Sequence, residues 1–392
     1  MCGVRLATYR QYSRSRAPHE RLPVCLKAPP VPAGLFSSTS GMRLAFANLV
    51  HTSPNDWEGE RRSLLDRRIS ELGLSVRGSL VEKYVDRLYA ELETRGLRFR
   101  PPVYLSDEWG CPDGTPLIGV PFYLADQRLA RIEEELADEV ESDIDVMRFL
   151  RHEAGHAFNY AYRLYDREDW RRIFGPYSRP YRDRFRANPF SREYVRHILG
   201  WYAQKHPDED FAETFAVWLT PGRDWRAEYA GWPALAKLEY VDRVMGELGD
   251  ETPEVPGPGE DDLPVESMQY TLAEHYRSLD EPLPLDDERH FDGDLKTLFG
   301  SVEDAPNGEV ATEFIRRHRR EVVSRIAYWT GESTITVRAF VDFLIQRSAA
   351  LELRVRGLEA STLIELTAFG TAVMMNYRLT DALHGNPRGD DA

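Results

Sequence analysis

His152-Glu153-Ala154-Gly155-His156 carries the clearest chemistry in the chain. Two histidines four positions apart share one helical face, about one turn from each other, so their imidazoles stand side by side and can grip one metal ion. A glutamate beside the first histidine is then close enough to handle the proton of a water on that ion. The competing reading is a solvated helix that carries two histidines by chance. A third ligand elsewhere in the chain decides between them.

Such a ligand is offered by the stretch from Trp201 to Ala216. Pro207 and Asp208 predict a helix start, with Asp208 as N-cap and acidic residues in the first turn. Glu209 and Glu213 are four apart and share a face of that helix. One carboxylate can complete a His2Glu site while its partner accepts the outer N–H of a ligating histidine. Phe211, Phe215 and Trp218 supply apolar packing, and Ala212 and Ala216 permit close approach to a neighbour. Asp210 points about 100° away from the two glutamates and is rejected as a ligand.

Together these segments resemble the gluzincin metallopeptidases, in particular the catalytic domain of anthrax lethal factor and a group of bacterial zinc-binding metallopeptidases. That family carries His-Glu-x-Gly-His, then a tyrosine, then a segment close to Glu-x-Phe-Ala-Glu-x-Phe. The matching residues here are His152, Glu153, Gly155 and His156, then Tyr202, then Glu209, Phe211, Ala212, Glu213 and Phe215. The resemblance covers about residues 100–248. It implies one Zn2+ held by His152, His156 and Glu209, with Glu213 orienting a histidine, His152 foremost. Tyr202 stands seven residues before Glu209 (209 − 202), where the family has an electrophilic hydrogen-bond donor. The implied activity is hydrolysis of a peptide bond. Glu153 serves as general base and then acid, and Tyr202 donates to the oxyanion. His206 is the runner-up donor. Alternatives are a zinc amidase acting on a modified or cell-wall peptide, or a non-catalytic zinc-binding interaction protein.

These residues need two helices and a strand to position them. Ser142 or Asp143 can cap the first helix, with Asp145 adding favourable charge in its first turn. Ile144, Met147, Leu150, Ala154, Ala157 and Ala161 recur at helical spacing and are expected in the core, with Phe149, His152, His156 and Tyr160 on an adjacent stripe facing the cleft. Leu117–Leu124 reads as a strand after a turn at Pro112-Asp113-Gly114, and Pro121 within it argues for an edge. The resemblance implies that such an edge strand binds extended peptide, which makes Gly119, Val120, Phe122 and Tyr123 the substrate-binding candidates; the alternative is an edge strand merely covered by a loop. The expected fold class is α+β. It comprises a zincin-like core, with a small sheet whose edge strand lies over the active-site helix and a helical lower lobe, plus an all-α C-terminal domain.

At 392 residues the chain is long enough for two or three domains, and its net charge of −15 disfavours nonspecific nucleic-acid binding. Cys2, Cys25 and Cys111 are too few and too scattered for a disulfide framework or a cysteine zinc site, and they fit a reducing cytoplasm. No apolar run has the length of a membrane span. Residues 1–41 are rich in Arg and Ser and are expected to form a disordered basic tail, with Met42 a candidate true start. Leu22-Pro23-Val24-Cys25 is similar to a lipoprotein cleavage box, but nothing hydrophobic precedes it. Residues 42–248 form the expected catalytic domain, with a helix-rich lead-in over 60–100. Residues 249–305 read as an acidic, proline-rich linker with a short helix near Glu266–Ser278, and 306–392 as a helical domain able to bind a protein partner. Its three helices are expected around Phe314–Trp329, Val337–Leu353 and Leu363–Leu383.

Between the two motifs, Trp170–His197 holds eight arginines, at 171, 172, 179, 182, 184, 186, 192 and 196, against Asp183 and Glu193, with aromatics interleaved. A cleft wall balanced by acidic surface elsewhere explains them most simply, and recognition of an acidic substrate feature comes second. A peptide or protein is therefore the expected substrate, with no nucleic acid and no membrane.

Overall fold

The computed structural model describes residues 54–137, 140–182, 185–249, 251–255, 263–277 and 289–380. The expectations for the tail before Met42 and for Cys2 and Cys25 lie outside the described residues, as do 250, 256–262 and 278–288 of the acidic stretch. The described chain is mostly helical with a single two-stranded sheet, an α+β composition. None of its helices is long and apolar enough to cross a membrane.

Two lead-in helices come first, α1 (Pro54–Leu65) and α2 (Leu80–Thr94). The oxygen of Ser79 caps α2 by accepting from the Val81 amide. Leu64, Ile69, Leu88 and Leu92 are buried. Strand β1 (Val103–Ser106) then pairs in parallel with β2 (Ile118–Pro121), Val103 opposite Ile118. The strand expected over Leu117–Leu124 ends at Pro121, and Phe122–Ala125 turns into a 3-10 helix. Helix α3 (Gln127–Ala137) follows, then the long helix α4 (Asp143–Ala161) that carries the two histidines.

Ser142 caps α4, its oxygen accepting from the Asp145 amide. From Asp145 to Ala161 every residue of α4 except Arg148 is buried. The expectation of a core stripe beside a cleft stripe therefore fails, because neighbours cover this helix on all sides. Ile144 was expected in the core and is exposed, since it precedes the first covered turn. Arg151 on α4 forms a buried two-pronged ion pair with Glu91 of α2, at 2.7 and 2.8 Å.

Helix α5 (Glu168–Phe174) opens the arginine-rich stretch, which runs on as irregular chain to a 3-10 turn at Tyr202–Gln204. Helix α6 (Pro207–Leu219) follows, and all thirteen of its residues are buried. Short α7 (Trp225–Glu228) and α8 (Ala234–Leu248) pack behind it. Helices α4 and α6 meet closely where Gly155 faces Ala212: a Cβ on Gly155 would stand 2.7 Å from the Ala212 Cα.

Within the expected linker, the segment 263–277 is packed rather than extended. Its helix α9 (Leu272–Arg277), together with Val265 and Met268, joins the same hydrophobic core as α2, α4 and α6. The amides of Ile69 and Ser70 donate to Tyr270 and Met268, and the Leu272 amide returns a bond to Arg67. A second hydrophobic cluster draws on α10 (Asp292–Leu298), α11 (Ala311–Thr330), α12 (Thr334–Ala350) and α13 (Glu359–Thr380). The three expected C-terminal helices correspond to α11, α12 and α13, each beginning three or four residues early. Gly331 ends α11 in the left-handed conformation, φ 66°. Ion pairing between Arg320 and Glu134 at 2.6 Å and packing of Ile335 link this cluster to the first.

The Gly155 contact yields a direct test. In Gly155→Ala the new methyl meets backbone, not a flexible side-chain end, so α4 and α6 must separate. Urea unfolding is expected to give a loss of roughly 1–3 kcal/mol, and an unchanged midpoint would refute the contact.

Candidate metal centre

The close crossing of α4 and α6 brings His152, His156 and Glu209 together, all buried. His152 Nε2 lies 3.1 Å from His156 Nε2. Glu209 Oε2 stands 3.1 Å from His152 Nε2 and 3.2 Å from His156 Nε2. The outer nitrogens are engaged by carboxylates. His152 Nδ1 is 2.9 Å from Glu213 Oε1, and His156 Nδ1 is 2.9 Å from Asp208 Oδ2. Ionised carboxylates only accept, so each Nδ1 carries a hydrogen, and with a metal ion bound each Nε2 would be left as a lone pair facing it; without one, protons take its place between the Nε2 atoms and Glu209.

Three acceptors thus converge on one point, an arrangement that repels itself unless a cation sits among them. A tetrahedral zinc with bonds of about 2.1 Å spaces its ligand atoms about 3.4 Å apart, close to the edges of this triangle. The residues fit a zinc ion. The same field acts on protons. Burial by itself lowers the pKa of His152, but Glu209 and Glu213 outweigh it and raise the value to about 9. His156 is likewise raised well above its ordinary value, because Asp208 and Glu209 overcome the burial. Glu209 is held well below the usual carboxylate range, the histidines outweighing its desolvation.

Glu153 lies on the same turn of α4, fully buried, and its Oε1 has no hydrogen-bond partner. Burial raises its pKa, against the pull of the two histidines. An unpartnered carboxylate oxygen beside an acceptor triangle is costly in structural terms, and it is what a proton-handling group requires.

Asp208 corrects the expected helix start. His206 is the N-cap, its Nδ1 accepting from the Asp208 amide at 3.2 Å, and Pro207 occupies the first helical position. Asp208 therefore lies inside the helix, turned toward α4. Besides His156 it accepts from Tyr160 Oη at 2.5 Å and Asn159 Nδ2 at 2.7 Å. Proline at the first helical position was the available signal for this shift. The other nitrogen of His206 bonds the Arg179 carbonyl at 2.8 Å, so both ring nitrogens are committed and none is left for substrate. Asp210 faces away and pairs with Lys237 at 2.6 Å.

Tyr202 is buried and donates to Glu209 Oε1 at 3.1 Å. A residue not singled out from sequence does the same: the Tyr181 hydroxyl donates to that oxygen at 2.5 Å and lies 3.4 Å from the Tyr202 hydroxyl. Tyr181 comes from irregular chain, where no periodicity could have marked it. Gly119, Val120, Phe122 and Tyr123 are all buried. The open strand edge expected there is closed at Gly119, whose amide and carbonyl pair with Gly110 at 2.7 and 3.3 Å. The loop 107–117 folds back over the strand to make this contact. Trp109 anchors the loop by stacking on Phe149, ring centres 5.5 Å apart.

Residues 127–222 match a family described as putative zinc-binding metallo-peptidase. The matched stretch holds both histidines, Glu153, both tyrosines and Glu209, and it supports a metallopeptidase role. No curated protein and no solved structure matches the chain.

Two outcomes are expected. Asp208→Asn should weaken zinc binding about 10–100-fold in chelator competition, as loss of a histidine's outer partner does; unchanged affinity would discount Asp208. Stability should also depend on pH when zinc is removed. A histidine raised above its ordinary 6.5 contributes stability below that pH and loses it as pH rises through about 9. Between pH 6.5 and 9 the melting-temperature gap between zinc-loaded and chelated protein should therefore widen.

Proposed function

We propose that the protein is a zinc-dependent peptidase of the gluzincin type, with a zincin-like catalytic core. The observation that carries this reading is the buried, unpartnered carboxylate oxygen of Glu153 beside three convergent acceptors. A site that held zinc only for structure would gain nothing from an orphaned carboxylate there. Such sites also close the fourth position with protein, usually cysteine.

His152, His156 and Glu209 would hold the ion, while Glu213 and Asp208 fix the two imidazole orientations through Nδ1. Bound zinc would supply Lewis-acid polarisation and a more acidic water. Glu153 takes a proton from the water as its oxygen attacks the scissile carbonyl carbon, then delivers that proton to the amine nitrogen as the C–N bond breaks. Burial raises its pKa, which strengthens it as a base toward the water. The Tyr202 hydroxyl, positioned beside the ligand set by its bond to Glu209 Oε1, turns its one hydrogen from that oxygen to the developing oxyanion. Tyr202 is preferred over His206 because its hydroxyl already bonds the ligand Glu209, whereas the His206 ring is tied to the helix cap and the Arg179 carbonyl.

Glu153→Gln keeps the shape of the side chain and removes the base. With one zinc retained per chain, cleavage of a peptide library is expected to fall roughly 10²–10⁴-fold. Cleavage at the native rate would sink the mechanism.

A further inference from the structure

Lys205 is buried, yet among the described residues its ammonium has neither a carboxylate nor a hydrogen-bond partner. Instead it lies 4.3 Å from the Tyr181 ring centre and 5.1 Å from that of Tyr202. Those are the two tyrosines whose hydroxyls meet on Glu209 Oε1. Cation–π contact offsets only part of the cost of desolvating an ammonium, so a preformed demand for an anion remains beside the metal ligands.

The chain next to Tyr181 extends that demand outward. Arg182 and Arg186 are exposed, and among the described residues neither has a carboxylate partner. Both ends of this stretch are clamped to the wall of the site. Tyr181 is bonded to Glu209, and Asn188 exchanges two hydrogen bonds with Gln204, at 2.8 and 2.9 Å, in the turn that carries Tyr202. Elsewhere arginines such as Arg128, Arg151, Arg223, Arg317 and Arg347 find carboxylates, as expected in a chain of net charge −15. Cations without a carboxylate partner among the described residues, beside the reactive centre of an acidic protein, are placed for a ligand.

We propose that the site takes acidic peptides, and that Lys205, Arg182 and Arg186 read a carboxylate close to the scissile bond. This rests on the peptidase reading above. The carboxylate can belong to an Asp or Glu side chain or to a free C-terminus. A nucleic acid is less suited, since the overall negative charge opposes a polyanion.

The test is binding, read by fluorescence anisotropy on the zinc-loaded Glu153→Gln chain so that it does not depend on turnover. Three probes are compared: an amidated peptide carrying Glu, the same peptide with Gln, and the Gln peptide with a free C-terminus. The Glu peptide should bind at least about fivefold tighter than its amidated Gln counterpart, with the difference fading in about 0.5 M salt. Lys205→Met and the double variant Arg182→Glu/Arg186→Glu should each erase most of it while one zinc per chain is retained. Tight binding confined to the free C-terminus assigns the cations to the chain end and supports the carboxylate site. Equal binding of all three probes, or stronger binding of a single-stranded oligonucleotide, overturns the proposal. A native chain that cleaves nothing while the Glu preference stands removes the peptidase reading and leaves the anion site intact.

Discussion

Three acceptor atoms held about 3 Å apart in a dry interior are the constraint on which the rest of this molecule depends. Such a triangle is unfavourable without a positive charge at its centre, so the fold must force it together. The force comes from the packing of α4 against α6. Gly155 allows backbone-to-backbone approach at Ala212, and the turn on either side of that contact delivers the histidines and Glu209 to one point. Phe158 and Phe215, stacked at 5.1 Å, add apolar area to the same interface. A larger residue at 155 would lengthen both histidine–Glu209 distances at once.

Burial of this much charge is tolerated because nearly every ionised group is answered. Glu213 accepts from His152 and from the Ile198 amide, so it ties the imidazole to the chain that leads into α6. Asp208 does the same for His156 while also gathering Asn159 and Tyr160 of α4. Two buried ion pairs pin the helices from behind, Arg151 to Glu91 and Lys237 to Asp210. Lys237 also donates to the Glu193 carbonyl, which fastens the arginine-rich segment to α8. Against this background, the groups left without partners stand out. Glu153 Oε1 is buried on the helix that carries both histidines, and the Lys205 ammonium lies against the rings of Tyr181 and Tyr202.

The segment between the two helices is more closely involved than its irregular backbone suggests. Tyr177 stacks on Tyr165 at 4.4 Å and Tyr181 reaches Glu209, so the chain crosses the site instead of skirting it.

Much of the centre was legible in the sequence because helices make local spacing into geometry. Residues four apart share a face, so His152 with His156, and Glu209 with Glu213, were paired before any fold was known. Helix α6 was legible too, but its first turn was misread by two residues, which hid Asp208 behind a capping role. What lies between elements had no such ruler. The Tyr181 contact, the Gly110–Gly119 bridge and the packing of 263–277 onto the first core join residues whose separation along the chain carries no period. The full burial of α4 was likewise beyond reach, since a helix cannot announce how many neighbours will cover it. Local periodicity determined the ligand pairs and the base. Tertiary packing alone decided which carboxylate meets which nitrogen and which groups remain unpaired, because those depend on how closely two backbones can approach.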